Sequence, residues 1–223
     1  MKILIDNGHG LNTPGKRSPD GTLIEAAYTR EIARRIVSDL TDRGYDAELL
    51  VPENEDISLS ERVRRVNEIC LTNEPSRTTH RHGRPRSAIS SSSPAPTGDL
   101  MPNVILISIH VNAAGNGSKW LNATGWSVYT CKGQTESDRL ADCLCEAAIK
   151  HFPGRRIRTD FYDSDPDWEE NFSLLSNTLC PAVLTENFFM DSRSDLEYIR
   201  SRVGKQAVVD THVEGIIEYL ESL

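Results

Sequence analysis

The sequence predicts an α/β fold, a single domain in which a mainly parallel, twisted sheet carries helices on both faces. Three observations predict it. Short apolar runs at residues 3–5, 104–109 and 181–185 lack strict polar alternation, as expected of strands covered on both faces. Between them lie longer stretches whose apolar residues recur at helical spacing, and strands that alternate with helices favour parallel pairing. A length of 223 residues suits one well-buried domain, here taken as residues 1–223, and requires no second.

The first strand is expected over residues 2–6, around Ile3-Leu4-Ile5. Residues 7–24 then hold Gly8, Gly10, Pro14, Gly15, Pro19 and Gly21, too many breakers for a helix or strand. From about Glu25 to Asp42, Ile32, Ala33, Ile36, Val37 and Leu40 trace one helical face, opposite Arg34, Arg35 and Asp39. That helix ends near Gly44. Tyr45 to Val51 reads as the second strand. Ser58-Leu59-Ser60-Glu61 opens a second helix running to about Cys70, with Ser58 and Glu61 spaced as a capping box.

Residues 75–99 break the alternation. Ser, Pro, Thr and Arg dominate, Ser90 to Ser93 is homopolymeric, and few apolar side chains could offset the entropy of ordering, so a mobile, low-complexity basic insertion is expected. Val104 to Ile109 is the third strand and Gly125 to Thr130 a fourth. Glu136 to Phe152 reads as a helix with Leu140, Leu144, Ala147 and Ala148 on one face. Residues 153–170 read as irregular and acidic, Phe172 to Leu179 as a short helix and Pro181 to Thr185 as the last strand. Val209, Val213, Ile216, Ile217 and Leu220 mark a terminal helix.

A composition of 38% hydrophobic and 26% charged residues is that of a globular protein. No apolar stretch approaches the roughly 20 residues that span a bilayer, so no membrane anchor is expected. The first strand starts too close to Met1 for a secretion leader. The expectation is therefore cytoplasmic synthesis with release by lysis, or a secreted chain whose leader has been removed. Five cysteines without regular spacing (Cys70, Cys131, Cys143, Cys145 and Cys180) read as reduced thiols. The formal net charge of −8 argues against nucleic acid as a partner. Arg77, Arg81, Arg84 and Arg86 against Asp99 make the insertion +3, which leaves −11 on the rest of the chain.

The chemistry gathers where strands end. His9 follows the first strand, His110 the third and Glu186 the last, and in open α/β sheets ligands bind beyond the carboxyl ends of the strands. Catalytic zinc takes three protein ligands from histidine and carboxylate and keeps a position for water. Glu25, at the head of the helix reached from His9, is the preferred carboxylate; Glu31 lies more than a turn further along. Taken singly, each has a plainer role: turn histidines are mostly hydrogen-bonding loop residues, and a glutamate in a first helical turn mostly compensates the helix dipole. The grouping raises all three together. Glu186 could take a proton from water and pass it to a leaving amine, its plainer role being to cap a turn or pair with an arginine. Asn112 is a candidate substrate contact, with a turn-forming role equally open. Arg62 is expected to pair with a carboxylate, His80 and His82 to lie in a solvated loop, and His151 and His212 to have surface or helix-end roles.

Ile5-Asp6-Asn7-Gly8-His9-Gly10, Glu25, Leu59-Ser60-Glu61-Arg62 with Asn67, Ser108-Ile109-His110-Val111-Asn112-Ala113 and Val183-Leu184-Thr185-Glu186-Asn187-Phe188 occur in that order. Together they resemble the zinc-dependent N-acetylmuramoyl-L-alanine amidases of the amidase type 3 family, over nearly the whole chain outside residues 75–99. The resemblance implies a sheet of about six strands and one catalytic Zn2+ on His9, Glu25 and His110, with Glu186 as catalytic residue. It also implies peptidoglycan as partner, with cleavage of the amide between N-acetylmuramic acid and the L-alanine of the stem peptide. Such an enzyme acts on the cell wall or in the periplasm, as autolysin or endolysin, and a monomer is expected. Asn7 stands where the family often has proline. Asn187 stands where a small residue is common, which makes it a second candidate substrate contact. A zinc peptidase on stem peptides, or a non-catalytic peptidoglycan-binding module of the same fold, remain the alternatives.

Overall fold

A computed structural model describes residues 1–73, 103–161 and 165–223. The chain runs β1 (Lys2–Asn7), α1 (Glu25–Asp42), β2 (Asp46–Leu49), α2 (Leu59–Thr72), β3 (Val104–Asn112), β4 (Ser127–Thr130), α3 (Glu136–His151), β5 (Trp168–Glu169), α4 (Ser173–Ser176), β6 (Ala182–Phe189), α5 (Arg193–Arg200) and α6 (Arg202–Glu221). The strands form one six-stranded sheet in the order β2-β1-β3-β6-β4-β5. All neighbouring pairs are parallel except β4 and β6. The insertion expected at 75–99, with His80 and His82, lies outside the described residues. No helix among the described residues is long and apolar enough to cross a membrane.

The unbroken apolar runs follow from the two covers on this sheet. Successive side chains of a strand face opposite ways. Ile3, Ile5, Ile105, Ile107, Ile109 and Val183 therefore pack toward α1, α3 and α6, while Leu4, Leu106, Ala182 and Leu184 pack toward α2 and α4. Helix α6 has little amphipathic character to read because Val208, Val209, His212, Val213, Gly215, Ile216 and Tyr219 are buried between neighbouring helices. A Cβ at Gly215 would stand 2.9 Å from Leu144 Cα, so only glycine lets α6 approach α3 this closely. The capping box expected at Ser58 is half formed: Ser58 Oγ accepts from Glu61 N, while the Glu61 carboxylate turns to Arg64 and Arg65. All five cysteines are free thiols.

Four expectations need correction. Strands β3 and β6 run to Asn112 and Phe189, because their pairing continues past Ile109 and Thr185, so His110 and Glu186 lie within strands rather than after them. Residues 153–170 contain the two-residue β5, whose order comes from pairing with β4. Helix α5 precedes the terminal helix and shares Ser201 with it as a junction. His212 is fully buried rather than superficial. Its Nδ1 donates to Val208 O at 2.7 Å and its Nε2 accepts from Thr185 Oγ1 at 2.8 Å, which defines a neutral ring.

Burial pushes His212 down to about 4, against about 6.5 in an unfolded chain. Between those values the unfolded chain binds a proton that the folded one refuses, so stability is complete above pH 6.5 and falls as the pH drops toward 4. Urea melts should show the wild type losing about 2 kcal/mol between pH 7 and 5 through this ring. His212→Gln should lose correspondingly less over the same interval.

Candidate metal centre

His9 adopts a left-handed backbone (φ 60°), which few non-glycine residues do. Its carbonyl oxygen is held from two sides, by Arg30 Nη1 at 3.0 Å and Arg62 Nη2 at 3.4 Å. Arg62 is buried in α2. It ion-pairs with Asp6 and donates to Asn7 O at 2.9 Å and, through Nε, to Ile57 O at 2.9 Å. Asp6 completes the set by accepting from Ser108 Oγ at 2.6 Å on the neighbouring strand. Arg30 also reaches Glu53 O through Nε and Nη2, at 3.1 and 2.8 Å. The glycines beside His9 are steric requirements: a Cβ on Gly8 would meet the His110 ring at 2.4 Å, and one on Gly10 would meet Asp56 N at 2.0 Å.

Glu25 opens α1 and is 1% exposed. Its Oε1 accepts from Val111 N at 3.1 Å and lies 3.1 Å from His110 Nδ1. Its Oε2 lies 3.6 Å from His9 Nε2 and 4.0 Å from Lys16 Nζ, with no hydrogen-bond partner among the described residues. The two imidazoles meet edge to face at 5.0 Å. One ligand atom from each of His9, Glu25 and His110 falls within 4.8 Å of the other two.

The protonation states suit a metal. Desolvation lowers His9 to about 4, against the opposing pull of Glu25, so its ring is neutral at physiological pH. Burial works to raise Glu25, but the hydrogen bond and charge of His110 prevail and hold it below the usual carboxylate range. Burial likewise works to lower His110, and Glu25 prevails in the other direction. A neutral imidazole, an ionised carboxylate with an orphaned buried oxygen, and a second imidazole whose proton that carboxylate stabilises form a donor set that fits zinc, with the metal displacing the proton.

Glu186 neighbours His110 in the β3–β6 register. Its Oε2 is buried without a hydrogen bond among the described residues. Burial raises its carboxyl to about 7, against the lowering effect of His110. Directly after it the register shifts and Phe188 turns to a positive φ of 68°, a bulge of the kind that re-aims side chains beside functional sites.

The site expectation at Asn187 is corrected. The residue is fully buried: its amide donates to His110 O at 3.0 Å and Thr185 Oγ1 at 3.1 Å, and accepts from Trp126 Nε1 at 3.0 Å. Both donor hydrogens are thus committed to the protein, and the side chain braces the His110 strand instead of meeting substrate. Asn112 is half-buried at the end of β3. Glu31 is remote from the cluster, pairing with Lys205 and Arg35, and His151 pairs with Glu214. Asn7 has both amide atoms buried without a partner among the described residues. A surface cleft lined by His151, Arg202, Gln206 and Asp210 contains none of the cluster. Arg30 escaped the sequence reading, although an arginine on the stripe of Ala26 and Ala33 is a legible signal, since a charge on a buried face needs a partner.

Fold and cluster together define an α/β domain with a two-histidine, one-glutamate centre at the end of its sheet and, beside it, a glutamate with one buried carboxylate oxygen. The family described as N-acetylmuramoyl-L-alanine amidase matches residues 3–218, and the chain belongs to that family. An N-acetylmuramoyl-L-alanine amidase of Bacillus licheniformis, CwlM, is 31% identical over 219 residues, which are 97% of this chain and 67% of that protein. An endolysin of Bacillus phage SPP1 is 24% identical over 222 residues, 98% of this chain and 65% of that protein. The chain thus spans about two thirds of the length of these curated relatives. Among solved structures, the N-acetylmuramoyl-L-alanine amidase of Clostridium difficile 630 shares the fold with a TM-score of 0.73 at 23% identity, over 99% of this chain and 97% of that one.

The close seat of His110 over Gly8 makes a sharp test. Gly8→Ala should displace the His110 ring and weaken zinc binding about 10–100-fold in chelator competition, with the far-ultraviolet circular dichroism unchanged.

Proposed function

We propose that residues 1–223 act as one catalytic domain that hydrolyses the amide between N-acetylmuramic acid and L-alanine of peptidoglycan, with one zinc held by His9, Glu25 and His110. The observation that carries this reading is the Glu186 carboxylate in register with His110, its Oε2 buried without a hydrogen bond among the described residues, beside a three-ligand cluster. Bound there, zinc supplies Lewis-acid polarisation of the amide carbonyl and a lowered water pKa. Glu186 takes the proton of the attacking water and returns it to the amine that leaves. A carboxyl raised toward 7 by burial suits both directions of transfer. Lys16, 4.0 Å from Glu25 Oε2, adds positive charge at the mouth of the cluster. Asn112, at the end of the strand that presents His110, is proposed to hydrogen-bond the stem peptide.

The names of the relatives support the cell wall as the place of action, one being a phage endolysin and the other a bacterial amidase. The reading is tested at the bond itself. Mass spectrometry of digested peptidoglycan should find new free L-alanine amino termini together with intact, unsubstituted muramic acid. A new terminus inside the stem peptide would make the domain a peptidase, and binding without chelator-sensitive release would make it a wall-binding module.

The two roles in the centre separate by mutation. Glu186→Gln should retain stoichiometric zinc and lose at least about a hundredfold in kcat. His9→Ala should lose both metal and turnover, as read by metal content and dye release from labelled peptidoglycan. Equal loss of zinc in the two variants would refute the division of roles.

A further inference from the structure

A second group of carboxylates sits at the far edge of the sheet. Asp138 lies in the first turn of α3, and Asp165 and Asp167 precede β5. One oxygen from each falls within 4.8 Å of the other two. This edge is remote from Glu186 along β4, since Ser127 pairs with Glu186 whereas Thr130, at the other end of the strand, pairs with Glu169.

Each carboxylate is oriented by one donor. Asp138 Oδ2 accepts from Thr135 N as part of a complete capping box, Asp165 Oδ2 from Gln134 Nε2 at 2.8 Å, and Asp167 Oδ2 from Thr130 Oγ1 at 2.5 Å. Asp167 is 1% exposed, and its Oδ1, like Oδ1 of Asp165, is buried without a hydrogen-bond partner among the described residues. No lysine, arginine or histidine among the described residues forms a salt bridge with any of the three. Buried like charges at such spacing repel strongly unless a cation or a proton lies between them. Burial and the facing Asp165 raise Asp167 to about 7, so without a cation Asp167 is partly protonated near neutrality.

We propose that Asp138, Asp165 and Asp167 bind a hard divalent cation, calcium in the first instance, separate from the zinc centre. The cluster consists of carboxylate oxygens alone, without the histidine or cysteine that selects zinc, and carboxylates with waters completing the shell suit calcium or manganese. Oδ1 of Asp165 and Oδ1 of Asp167, without partners among the described residues, are the oxygens free to ligate, while Thr130, Thr135 and Gln134 donate to the Oδ2 atoms. Bound there, the cation ties the loop before β5 to the start of α3 and secures the short edge strand. Its effect is on stability, and it does not depend on the amidase reading.

The test uses the zinc-loaded chain, with its first site filled. Calcium should raise Tm saturably by a few degrees, with affinity in the range of about 10⁻⁴–10⁻³ M typical of extracellular calcium modules. Terbium should show luminescence sensitised through Trp168, next to Asp167, and calcium should quench it by competition. The double variant D165N/D167N should lose both responses. It should also melt at or above the calcium-free wild type, because the repulsion is gone, which separates loss of a site from loss of the fold. Absence of any saturable response to calcium, manganese or terbium would overturn the proposal in favour of a proton-sharing carboxyl pair. Responses that persist in the double variant would place the cation elsewhere and overturn it equally.

Discussion

The carbonyl oxygen of His9 is the point on which the centre depends. A non-glycine residue in the left-handed region costs on the order of 1–3 kcal/mol and persists only where its surroundings over-determine it. Here the surroundings are two guanidinium groups, Arg30 from α1 and Arg62 from α2, that reach the same oxygen from opposite helices. Hydrogen bonds from charged donors are worth about 1.5–3 kcal/mol each, enough to offset the strain. Because Arg62 is tied to Asp6 on β1, and Asp6 to Ser108 on β3, the orientation of one imidazole is referred to the two strands that frame it.

The other half of the centre depends on strand register. The parallel pairing of β3 with β6 sets His110 next to Glu186, and the bulge that follows lets β6 turn without disturbing that pair. Behind them runs a buried polar chain: His212 with the Thr185 hydroxyl, Thr185 with the Asn187 amide, and Asn187 with the His110 carbonyl and the Trp126 indole. Every link is made inside the domain, where an unmade one would cost about 1–3 kcal/mol. Asn187, at a position where the resemblance leads one to expect a small residue, thus fills space in this chain with hydrogen bonds in place of packing alone.

Electrostatics distinguish the two places where the domain gathers charge. At the His9 centre, burial keeps His9 neutral and His110 keeps Glu25 ionised, while Glu25 in turn favours a proton on His110 that a metal would displace. At the β5 edge, carboxylates face each other without a basic partner among the described residues, and burial works against the ionisation of Asp138 and Asp167. The first arrangement mixes nitrogen and oxygen donors at the carboxyl ends of β1 and β3. The second is oxygen alone, at the edge where the sheet is thinnest.

Much was legible in the linear chain. Periodicity located the strands and main helices to within a few residues, since the spacing of apolar side chains is a local property. Two histidines and a glutamate carried by separate strands, with Glu25 heading a helix, marked the candidate centre. Other features depended on contacts between residues distant in sequence. How far β3 and β6 extend is settled by their mutual pairing, and β5 has no local signal at all. Asn187 and His212 looked available to solvent because nothing in their immediate sequence announces what covers them. Arg30 is intelligible only once His9 O stands before it, and the three aspartates become a cluster only when β5 joins the sheet beside α3. The sequence by itself therefore determined which residue types lie on which faces, a matter of period. The tertiary structure alone decided which polar groups meet, because burial and hydrogen bonding are properties of chain segments brought together.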